Sequence, residues 1–349
     1  MNPVSMAQVG TGDWGANLVR NFASLPECRL ALLCDTDAAR LAKAAKAAPN
    51  ARTTTDPEEV AADAAIEAVA IASSAITHHK LAKRFLEAGK DVYVEKPMTL
   101  RAAEAAELVR LAEERDRILM VGHLLLYHPA VVKLKALLAD GELGDLHYVY
   151  SQRTNLGKVR PDENALWSFA PHDIAVILHL LGTDPVDVSA RGEAFLQTGI
   201  QDVVFLYLRF PHGLGHVHVS WLDPHKARRV TVVGSRKMAV FDDQEPSEKL
   251  RVYDKGVDAG QIVDYARSLS VHSGDVWIPR VDAIEPLTVE CRHFLECVRT
   301  RTRPRTDGRE GWRVIRVLEA ASRSLAAGGA PVRLDALDAP ATTKVAAGR

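Results

Sequence analysis

Hydrophobic and polar positions follow two different patterns along the chain. Up to about residue 123, short apolar runs typical of buried strands alternate with stretches in which apolar residues recur every three or four positions, as in helices. Strands separated regularly by helices predict βαβ units and a parallel sheet with right-handed crossovers. The predicted strands are 6–9, 29–34, 68–72, 91–94 and 118–121, and helices are predicted after residue 15 and over 38–48, 78–88 and about 100–115.

Beyond residue 123 apolar and polar residues alternate, which is typical of a largely antiparallel sheet with one face on a core. The predicted strands are 147–153, 186–190, 203–210, 215–221, 229–233 and 238–241, and the predicted helices are 129–138, 172–181, 285–299 and 309–327. We therefore predict an α/β Rossmann domain with a doubly wound parallel sheet over residues 1–123. An α+β domain over 124–335 and a flexible tail over 336–349 are predicted to follow it.

The composition narrows the range of partners. The 44 Lys and Arg residues against 45 Asp and Glu give a net charge of −1, whereas proteins that bind nucleic acid or anionic membranes usually carry a basic surplus. No apolar run approaches the roughly 20 residues of a membrane span, and we expect no secretory signal at the N-terminus. The cysteines form no C-x-x-C pair, which favours reduced thiols in a cytoplasmic protein. The balanced charge and the lack of a long apolar run predict that the protein binds neither nucleic acid nor membrane.

Gly10, Gly12 and Gly15 form a G-x-G-x-x-G loop directly after the first predicted strand and at the start of a helix. In such a loop the first glycine permits a tight turn, the second lets the backbone approach a pyrophosphate, and the third lets the helix pack against the strand. Asp35 ends the second strand, where a carboxylate accepts hydrogen bonds from a ribose diol and repels a 2′-phosphate. The loop predicts a dinucleotide site with NAD preferred to NADP, and a chance glycine-rich turn is the alternative.

Two further segments are candidates for acid–base chemistry. Glu95-Lys96-Pro97 follows the fourth strand, at the edge where open α/β sheets bind ligands, and a lysine there can hydrogen-bond a substrate hydroxyl and help carry its proton. His172 and Asp173 are predicted to open an apolar helix, and a histidine suits proton transfer because its pKa lies near neutrality. A surface lysine at a strand end and a partly buried structural histidine are the alternatives that spacing alone favours.

Four segments together resemble the glucose–fructose oxidoreductase/inositol dehydrogenase (Gfo/Idh/MocA) family. They are GTGDWGANLVRNF, AITHHKLAKRFLEAGKDVYVEKPMTL, LWSFAPHDIAVI and EPLTVECRHFLECVRTRTRPRTDGREG. The resemblance covers about residues 4–330, and the combination of E-K-P with the glycine loop is specific. It implies a Rossmann domain, a second domain with an open-faced, mostly antiparallel sheet that often forms oligomer contacts, and hydride transfer between C–OH of a sugar or cyclitol and nicotinamide.

On this resemblance, Lys96 and His172 match the family's catalytic lysine and histidine, and which of them is the immediate base stays open. Many members place an aspartate four residues before that histidine, where this chain has Ser168. The departure leaves open whether a carboxylate tunes His172, and it disfavours simple inositol or glucose substrates. Asp173 is a poor substitute, because the neighbouring position on a helix points elsewhere. The expected cofactor contacts are Gly10, Gly12, Asp13, Trp14, Gly15, Asp35, Ser73, His78, Glu95, Lys96 and Pro97.

The run NLGKVRPDENALWSFAPHDI, followed by SWLDPHKARRVTVVGS, resembles the nucleotide-sugar branch of the family, which includes UDP-N-acetylglucosaminuronate 3-dehydrogenases. This likeness implies oxidation at C3 of a UDP-activated hexuronate or hexosamine. Lys158 and Arg160 are then candidate contacts to a carboxylate or diphosphate, with a solvated loop face as an equal alternative. Asn155 is a candidate pocket residue, whereas core packing is favoured for Trp167. The expected substrate contacts are Lys96, Asn155, Lys158, Arg160, Ser168 and His172.

The other histidines are assigned structural roles. His216 and His218 share one face of a strand without an accompanying cysteine or carboxylate, which favours a sheet-face or interface role and predicts no metal site. His78 and His79 begin the helix after the third strand, near the cofactor edge, where helix packing is at least as well supported as a contact with the nicotinamide or ribose.

Two other functions fit the same sequence. A dehydrogenase of a free sugar or cyclitol would use the same residues, and a non-enzymatic sensor would keep the fold without needing both Lys96 and His172. A small-molecule sugar or nucleotide-sugar substrate is expected in either enzyme. A homodimer or homotetramer is expected from the family resemblance alone.

Overall fold

The computed structural model describes residues 2–157, 159–263 and 268–337. Lys158 and, from residue 338 onward, the predicted tail lie outside these ranges. Within the described ranges no helix is long and apolar enough to cross a membrane.

Six parallel strands form the first sheet, and five helices connect them. The strands are β1 (Val4–Val9), β2 (Cys28–Cys34), β3 (Arg52–Thr54), β4 (Ala68–Ile71), β5 (Asp91–Glu95) and β6 (Leu119–Gly122). The helices are α1 (Gly15–Ser24), α2 (Ala38–Ala45), α3 (Pro57–Ala62), α4 (Ala75–Glu87) and α5 (Ala102–Glu114). The five predicted strands are present. The sequence analysis missed β3 and α3, which are too short to show a clear period.

The strand order β3-β2-β1-β4-β5-β6 is that of a doubly wound Rossmann sheet. The winding reverses between β1 and β4, and in such sheets ligands bind in the crevice outside the carboxyl ends of the strands at this point. The residues directly after β1, β2, β5 and β6 are Gly10, Asp35, Lys96 and His123. The topology therefore brings the predicted cofactor and proton-transfer residues to one edge.

Nine strands form the second sheet, in the order β14-β13-β12-β11-β7-β10-β9-β8-β15. They are β7 (Leu146–Thr154), β8 (Asp187–Glu193), β9 (Val203–Arg209), β10 (Leu214–Ser220), β11 (Ala227–Gly234), β12 (Met238–Asp242), β13 (Leu250–Val263), β14 (Ser268–Trp277) and β15 (Val332–Arg333). Only the pairing of β7 with β10 is parallel among the described strands of this sheet. The mostly antiparallel second sheet predicted from the sequence is confirmed.

Four more helices accompany the second half of the chain: α6 (Pro129–Ala139), α7 (Ala165–Leu181), α8 (Pro286–Thr300) and α9 (Gly308–Ala326). Short 3-10 turns cover Leu124–Tyr127 and Asp335–Leu337. The helices α7 and α9 pack on one face of the second sheet, against β7, β10 and β8. The other face is open and carries exposed aromatic side chains, among them Tyr148, Tyr150, Phe205 and Tyr207.

Helix α8 packs in the core of the first sheet although it comes late in the chain. The Phe294 ring meets Tyr93 of β5 and Phe22 of α1 edge-on, with ring centroids 5.7 and 6.5 Å away. Cys291 and Leu295 are buried in the same cluster. The predicted domain boundaries at residues 123 and 335 stay predictions, and the core around β5 draws on both sides of residue 123.

Helix α7 begins earlier than predicted. It starts at Ala165, with the Asn164 side chain accepting a hydrogen bond from the Trp167 amide, and Pro171 lies inside it. Proline is common in the first turn of a helix and costly in its interior, so the sequence pattern indicated a start near residue 172. The prediction that His172 opens a helix is therefore wrong: the residue lies two turns inside α7.

Candidate active site

A cleft of about 2600 Å³ runs between the carboxyl edge of the first sheet and the second half of the chain. A pocket for one drug-sized ligand measures roughly 300–1,000 Å³, so this cleft has room for a dinucleotide and a second molecule. The glycine loop, Asp35 and Lys96 line it from the first sheet, and Asn155 and His172 line it from the other side.

The glycine loop is shaped by close backbone contacts. Gly10 has a φ of +93°, and a Cβ there would lie 2.5 Å from the backbone that follows β4. A Cβ on Gly15 would lie 2.3 Å from the Gly10 carbonyl oxygen, so α1 packs against the loop with no space for a side chain. A Cβ on Gly12 would instead face the cleft, with Arg40 Nη1 at 3.7 Å as its nearest neighbour. These constraints match a loop that lets a pyrophosphate approach its backbone at Gly12.

Asp35 is held in place by the same loop. Its Oδ2 accepts hydrogen bonds from the Thr11 amide at 2.7 Å and the Thr11 hydroxyl at 2.9 Å, and its Oδ1 accepts one from the Asp37 amide at 3.0 Å. Burial alone would raise the pKa of Asp35, but these hydrogen bonds and the charge of Arg40 outweigh it and lower the pKa. Asp35 is therefore an ionised carboxylate at the edge of the cleft, with acceptor capacity left on Oδ1.

Glu95 belongs to a buried pair of carboxyl groups. The Tyr93 hydroxyl lies 3.0 Å from Glu95 Oε1 and 3.1 Å from Glu290 Oε2 of α8. A single hydroxyl donates to one acceptor at a time, so one of the two carboxyls must carry a proton to complete the second hydrogen bond. Burial raises the pKa of Glu290 well above its usual range. Glu95 also accepts a hydrogen bond from the Trp14 side chain, which ties the glycine loop to the end of β5.

Lys96 and His172 approach each other from opposite sides of the cleft. Lys96 Nζ donates a hydrogen bond to the Ser168 carbonyl oxygen at 3.3 Å, and Ser168 lies one turn before His172 on α7. Burial lowers the pKa of Lys96, while the charge of Glu95 raises it in part. Burial, followed by the nearby charge of Lys96, holds the pKa of His172 well below its usual range, so the imidazole is neutral near pH 7.

Nδ1 of His172 is enclosed without a hydrogen-bond partner among the described residues. Ser168 lies one turn earlier on α7, and its hydroxyl makes no hydrogen bond to that nitrogen within the described part of the chain. Nε2 is therefore the ring nitrogen available to the cleft.

Asp173 is paired with another residue. Arg153 of β7 donates to Asp173 through Nε at 2.6 Å and Nη2 at 3.2 Å, and the Ser151 hydroxyl donates to the same carboxylate. The neighbouring helix position does point away from His172, as the sequence analysis argued. This buried ion pair fixes α7 to β7 next to the candidate catalytic histidine.

His123 is a site residue that the sequence analysis missed. It follows β6 directly, and Gly122 pairs with Glu95 across β5 and β6, so His123 and Lys96 are neighbours at the strand ends. Both of its ring nitrogens are buried without a hydrogen-bond partner in the described ranges. Burial, followed by the charge of Lys96, lowers the pKa of His123 to about 3. Because its sequence context is an apolar strand end, no local signal distinguishes it from a core histidine.

His78, predicted as a cofactor contact, links two strand ends. Its Nδ1 lies 2.8 Å from the Pro97 carbonyl oxygen and its Nε2 lies 3.1 Å from the Ser73 carbonyl oxygen. The neighbouring His79 pairs with Glu107 at 2.9 Å. Ser73 and His78 line the cleft, so the first histidine supports the edge where the cofactor is expected, while the second anchors α4 to α5.

The residues considered for the substrate pocket are placed as follows in the structure. Asn155 lines the cleft, as does Arg160, which forms an ion pair with Glu163 at 3.0 Å. Trp167 lines the cleft and donates its indole N–H to Ser322 of α9 at 3.0 Å, which combines a pocket position with packing. Lys158 lies outside the described residues.

His216 and His218 lie on the open face of the second sheet, where His218 stacks on Phe205 with ring centroids 4.3 Å apart. Within the ranges that the structure describes, no group of three or more His, Cys, Asp or Glu side chains is arranged to hold a metal ion. The four cysteines, Cys28, Cys34, Cys291 and Cys297, are free thiols.

Two family models match the chain. The model for the oxidoreductase family with a NAD-binding Rossmann fold matches residues 4–123. The model for the GFO/IDH/MocA C-terminal domain matches residues 131–240. The cleft that holds the glycine loop, Lys96 and His172 lies between these two matched segments.

Similar proteins cover nearly the whole chain. A solved structure from Magnetospirillum magnetotacticum MS-1 is 31% identical with a TM-score of 0.78, covering 92% of this chain and all of that one. The UDP-N-acetylglucosamine 3-dehydrogenase of Acidithiobacillus ferrooxidans is 28% identical over 88% of this chain and 92% of its own length. The scyllo-inositol 2-dehydrogenase (NAD⁺) of Bacillus subtilis is 26% identical over 95% of this chain and 96% of its own.

Proposed function

Because the chain belongs to the Gfo/Idh/MocA family of oxidoreductases, we propose that it oxidises a secondary alcohol of a sugar with NAD, at C3 of a UDP-activated hexuronate or hexosamine. One observation carries this proposal: Lys96 and His172 face each other across a cleft that begins at a dinucleotide-binding loop. The similarity to a UDP-N-acetylglucosamine 3-dehydrogenase over nearly its full length supports the substrate class.

In the proposed reaction, the glycine loop and Asp35 would hold NAD, which would supply the acceptor for the hydride of the substrate carbon. His172 accepts the hydroxyl proton at Nε2, since burial keeps its imidazole neutral and able to act as a base. Lys96 donates a hydrogen bond from Nζ to the same substrate oxygen and stabilises the negative charge that develops on it. Burial lowers the pKa of Lys96, and the charge of Glu95 opposes this effect in part.

The preference for NAD over NADP rests on Asp35. Its ionised carboxylate has an acceptor position left for a ribose hydroxyl and would repel a 2′-phosphate. Arg40 acts in the opposite direction, because its guanidinium near Gly12 would attract that phosphate. Its ion pair with Asp37, with Nε and Oδ2 3.4 Å apart, weakens this attraction.

A second candidate function is oxidation of a free cyclitol. The similarity to a scyllo-inositol 2-dehydrogenase over 95% of the chain favours it, and the same Lys96 and His172 would serve. Ser168, in place of the aspartate of many relatives, argues for the nucleotide sugar.

The test is the absorbance of reduced nicotinamide when the purified protein meets NAD or NADP with UDP-N-acetylglucosamine, its uronate, and scyllo- and myo-inositol. A second set with 2-oxoglutarate detects turnover that a tightly held cofactor would hide. We expect signal with NAD and a UDP-sugar, and a loss of turnover of about 10²–10⁴-fold in Lys96→Ala and in His172→Asn. Lys133→Ala, on the exposed face of α6, is the control.

Retained NAD binding in the Lys96 and His172 variants would separate a role in chemistry from a role in folding. Oxidation of inositols with no response to either UDP-sugar would reject the nucleotide-sugar assignment and keep the fold and the proton-transfer pair. Unchanged turnover in both variants would reject the proposed mechanism.

A further inference from the structure

A cluster of basic side chains lines the cleft beyond the candidate catalytic pair. We call it the cationic corner: Lys226, Arg228 and Lys249, gathered around Asp243. Arg228 is on β11, Asp243 directly follows β12, and Lys249 directly precedes β13. Lys226 and Arg228 lie in the segment SWLDPHKARRVTVVGS that resembles the nucleotide-sugar branch, but none of the four residues was singled out, because three separate chain segments contribute them.

The strand register places this corner next to His172. Arg228 pairs with Arg153 across β11 and β7, and residues directly opposite in neighbouring strands share one face of the sheet. Arg153 in turn holds Asp173, the residue after His172. Burial lowers the pKa of His172 most, and the positive charge of Arg228 adds to this effect. When the alcohol of a substrate reaches His172, the neighbouring part of the same molecule therefore lies within reach of Arg228.

The charge balance at the corner is uneven. Arg228 Nη1 lies 3.4 Å from Asp243 Oδ2, and Lys249 Nζ lies 3.7 Å from Asp243 Oδ1, so one carboxylate serves two cations. Lys226, which is exposed, adds a third cation. His128 faces the same carboxylate at 3.8 Å, and burial lowers its pKa, so it contributes little charge at neutral pH. The corner has three cations for one anion.

Two other arginines of the cleft have closer carboxylate partners. Arg153 donates to Asp173 at 2.6 and 3.2 Å, and Arg160 Nε lies 3.0 Å from Glu163. The contacts with the Asp243 carboxylate are longer than the roughly 2.7–2.9 Å of strong charge-assisted hydrogen bonds, and Lys249 Nζ also donates to the Asp243 main-chain oxygen at 3.0 Å. Asp243 therefore holds the side chains of Arg228 and Lys249 in position, and both keep N–H donors available for a ligand.

From these observations we propose that Arg228 and Lys249, with Lys226, bind the diphosphate of a nucleoside-diphosphate sugar whose sugar ring lies at His172 and Lys96. The inference rests on the proposed function and assigns its substrate an anchoring site. Two adjacent phosphates need more than one cationic partner, and a guanidinium beside an ammonium supplies five and three donors. Asp243 keeps both side chains oriented while the site is empty of phosphate.

The first test is steady-state kinetics at saturating NAD with UDP-N-acetylglucosamine. We expect KM for the UDP-sugar to rise about 10- to 100-fold in Arg228→Ala and in Lys249→Ala, as when a charge-assisted hydrogen bond is removed. KM for NAD is expected to stay unchanged. Lys237→Ala removes one positive charge from the same sheet outside the cleft, where Lys237 pairs with Glu142, and serves as the matched control. An unchanged KM in Arg228→Ala and Lys249→Ala would overturn the proposal.

The second test uses the UDP-N-acetylglucosamine uronate to identify the anion. If Arg228 and Lys249 bind the diphosphate, both UDP-sugars lose affinity in the variants to the same extent. A loss confined to the uronate would overturn the diphosphate assignment and show that the corner binds a sugar carboxylate.

The third test separates this inference from the proposed function. With NAD saturating, so that the glycine loop is occupied, inorganic pyrophosphate is added to whichever oxidation the wild type performs. Competitive inhibition that weakens in Arg228→Ala and persists in Lys237→Ala supports the anion site. This result would hold even if the protein oxidises a free cyclitol and the nucleotide-sugar function is rejected. Absence of inhibition in the wild type would overturn the site whatever the substrate is.

Discussion

At the scale of single residues, the surroundings of His172 set the pH range of the proposed chemistry. Its Nδ1 has no partner among the described residues, and its pKa is depressed by burial and by nearby positive charges. Ser168 lies one turn earlier on α7, at the position where the family resemblance implies an aspartate. The chain therefore keeps the histidine neutral without a carboxylate beside it.

Ser168→Asp is expected to shift the acidic limb of the kcat–pH profile to higher pH. A carboxylate one helical turn from His172 stabilises the imidazolium and raises its pKa, so the neutral base is lost at a higher pH than in the wild type. Ser168→Asn, which has the same shape without the charge, is the control. An unchanged acidic limb in Ser168→Asp would show that His172 is not the group that titrates there.

Asp35 is expected to determine the choice of dinucleotide. In Asp35→Ser the repulsion of a 2′-phosphate is removed while Arg40 remains near Gly12, so the ratio of kcat/KM for NADP to that for NAD should rise by roughly tenfold or more. In the double variant Asp35→Ser/Arg40→Ala most of this gain should disappear. A single variant that loses both cofactors equally would mean that Asp35 mainly supports the loop through Thr11.

Local spacing in the sequence singled out the glycine loop and Asp35, whereas Lys96 was assigned through the family resemblance. The structure places all of these residues along one cleft, and their roles stay predictions. His123 and Arg228 were missed, because their importance arises only when strand ends from distant parts of the chain meet. Neither has a neighbouring residue in sequence that marks it as part of a site.

At the scale of elements, α8 links the end of the chain to the first sheet. Phe294 is fully buried against Tyr93 and Phe22. Phe294→Ala should lower the free energy of unfolding by about 3–5 kcal/mol, as when other buried aromatic side chains are truncated, measured by urea denaturation. Val289→Ala on the same helix, which is only partly buried, should cost clearly less. Equal effects of the two changes would mean that α8 is not part of this core.

The buried Glu290 on the same helix makes stability depend on pH. Burial raises its pKa in the folded protein well above the usual range, so the folded protein retains a proton that the unfolded chain would release. The folded state therefore loses stability as pH rises from about 4.5 toward the raised pKa. Glu290→Gln mimics the protonated carboxyl. Its thermal midpoint relative to the wild type should rise between pH 5 and pH 8, whereas a pH-independent difference would contradict a protonated Glu290.

Element prediction failed where local signals conflict or are short, and it also missed the long strands β13 and β14. Pro171 favoured a helix start near residue 172, yet Asn164 caps α7 at Ala165 and apolar contacts with the second sheet sustain the helix through the proline. The strands β3 and β15 have three and two residues, too few for a period to emerge. Long, regular elements such as α9 were predicted because their apolar stripe repeats over several turns.

At the scale of the whole molecule, the two periodicities in the sequence determine the fold class but not how the parts meet. The alternation of strands with helices gave the parallel sheet, and the two-residue alternation gave the antiparallel one. The packing of α8 on the first sheet, and the approach of α7 to Lys96, depend on contacts between residues far apart in sequence. The cleft is a product of that packing, which the sequence did not predict. Residues on its far side, such as Asn155 and His172, were assigned through the family resemblance, and the structure places them along the cleft.

The open face of the second sheet leads to the last prediction. It presents Tyr148 and Tyr150 on β7 and Phe205 and Tyr207 on β9, the two strands that flank β10, and each side chain is 37–45% exposed. Large exposed apolar patches usually mark interaction sites. We expect a second copy of the chain to cover this face, because removing these exposed aromatic side chains from water lowers the free energy. The double variant Tyr150→Lys/Phe205→Lys should then lower the mass measured by light scattering after size exclusion from that of an oligomer to that of a monomer. Val132→Lys, an equally exposed apolar position on α6, should leave the mass unchanged. A wild-type protein that is already monomeric at micromolar concentration would contradict the prediction.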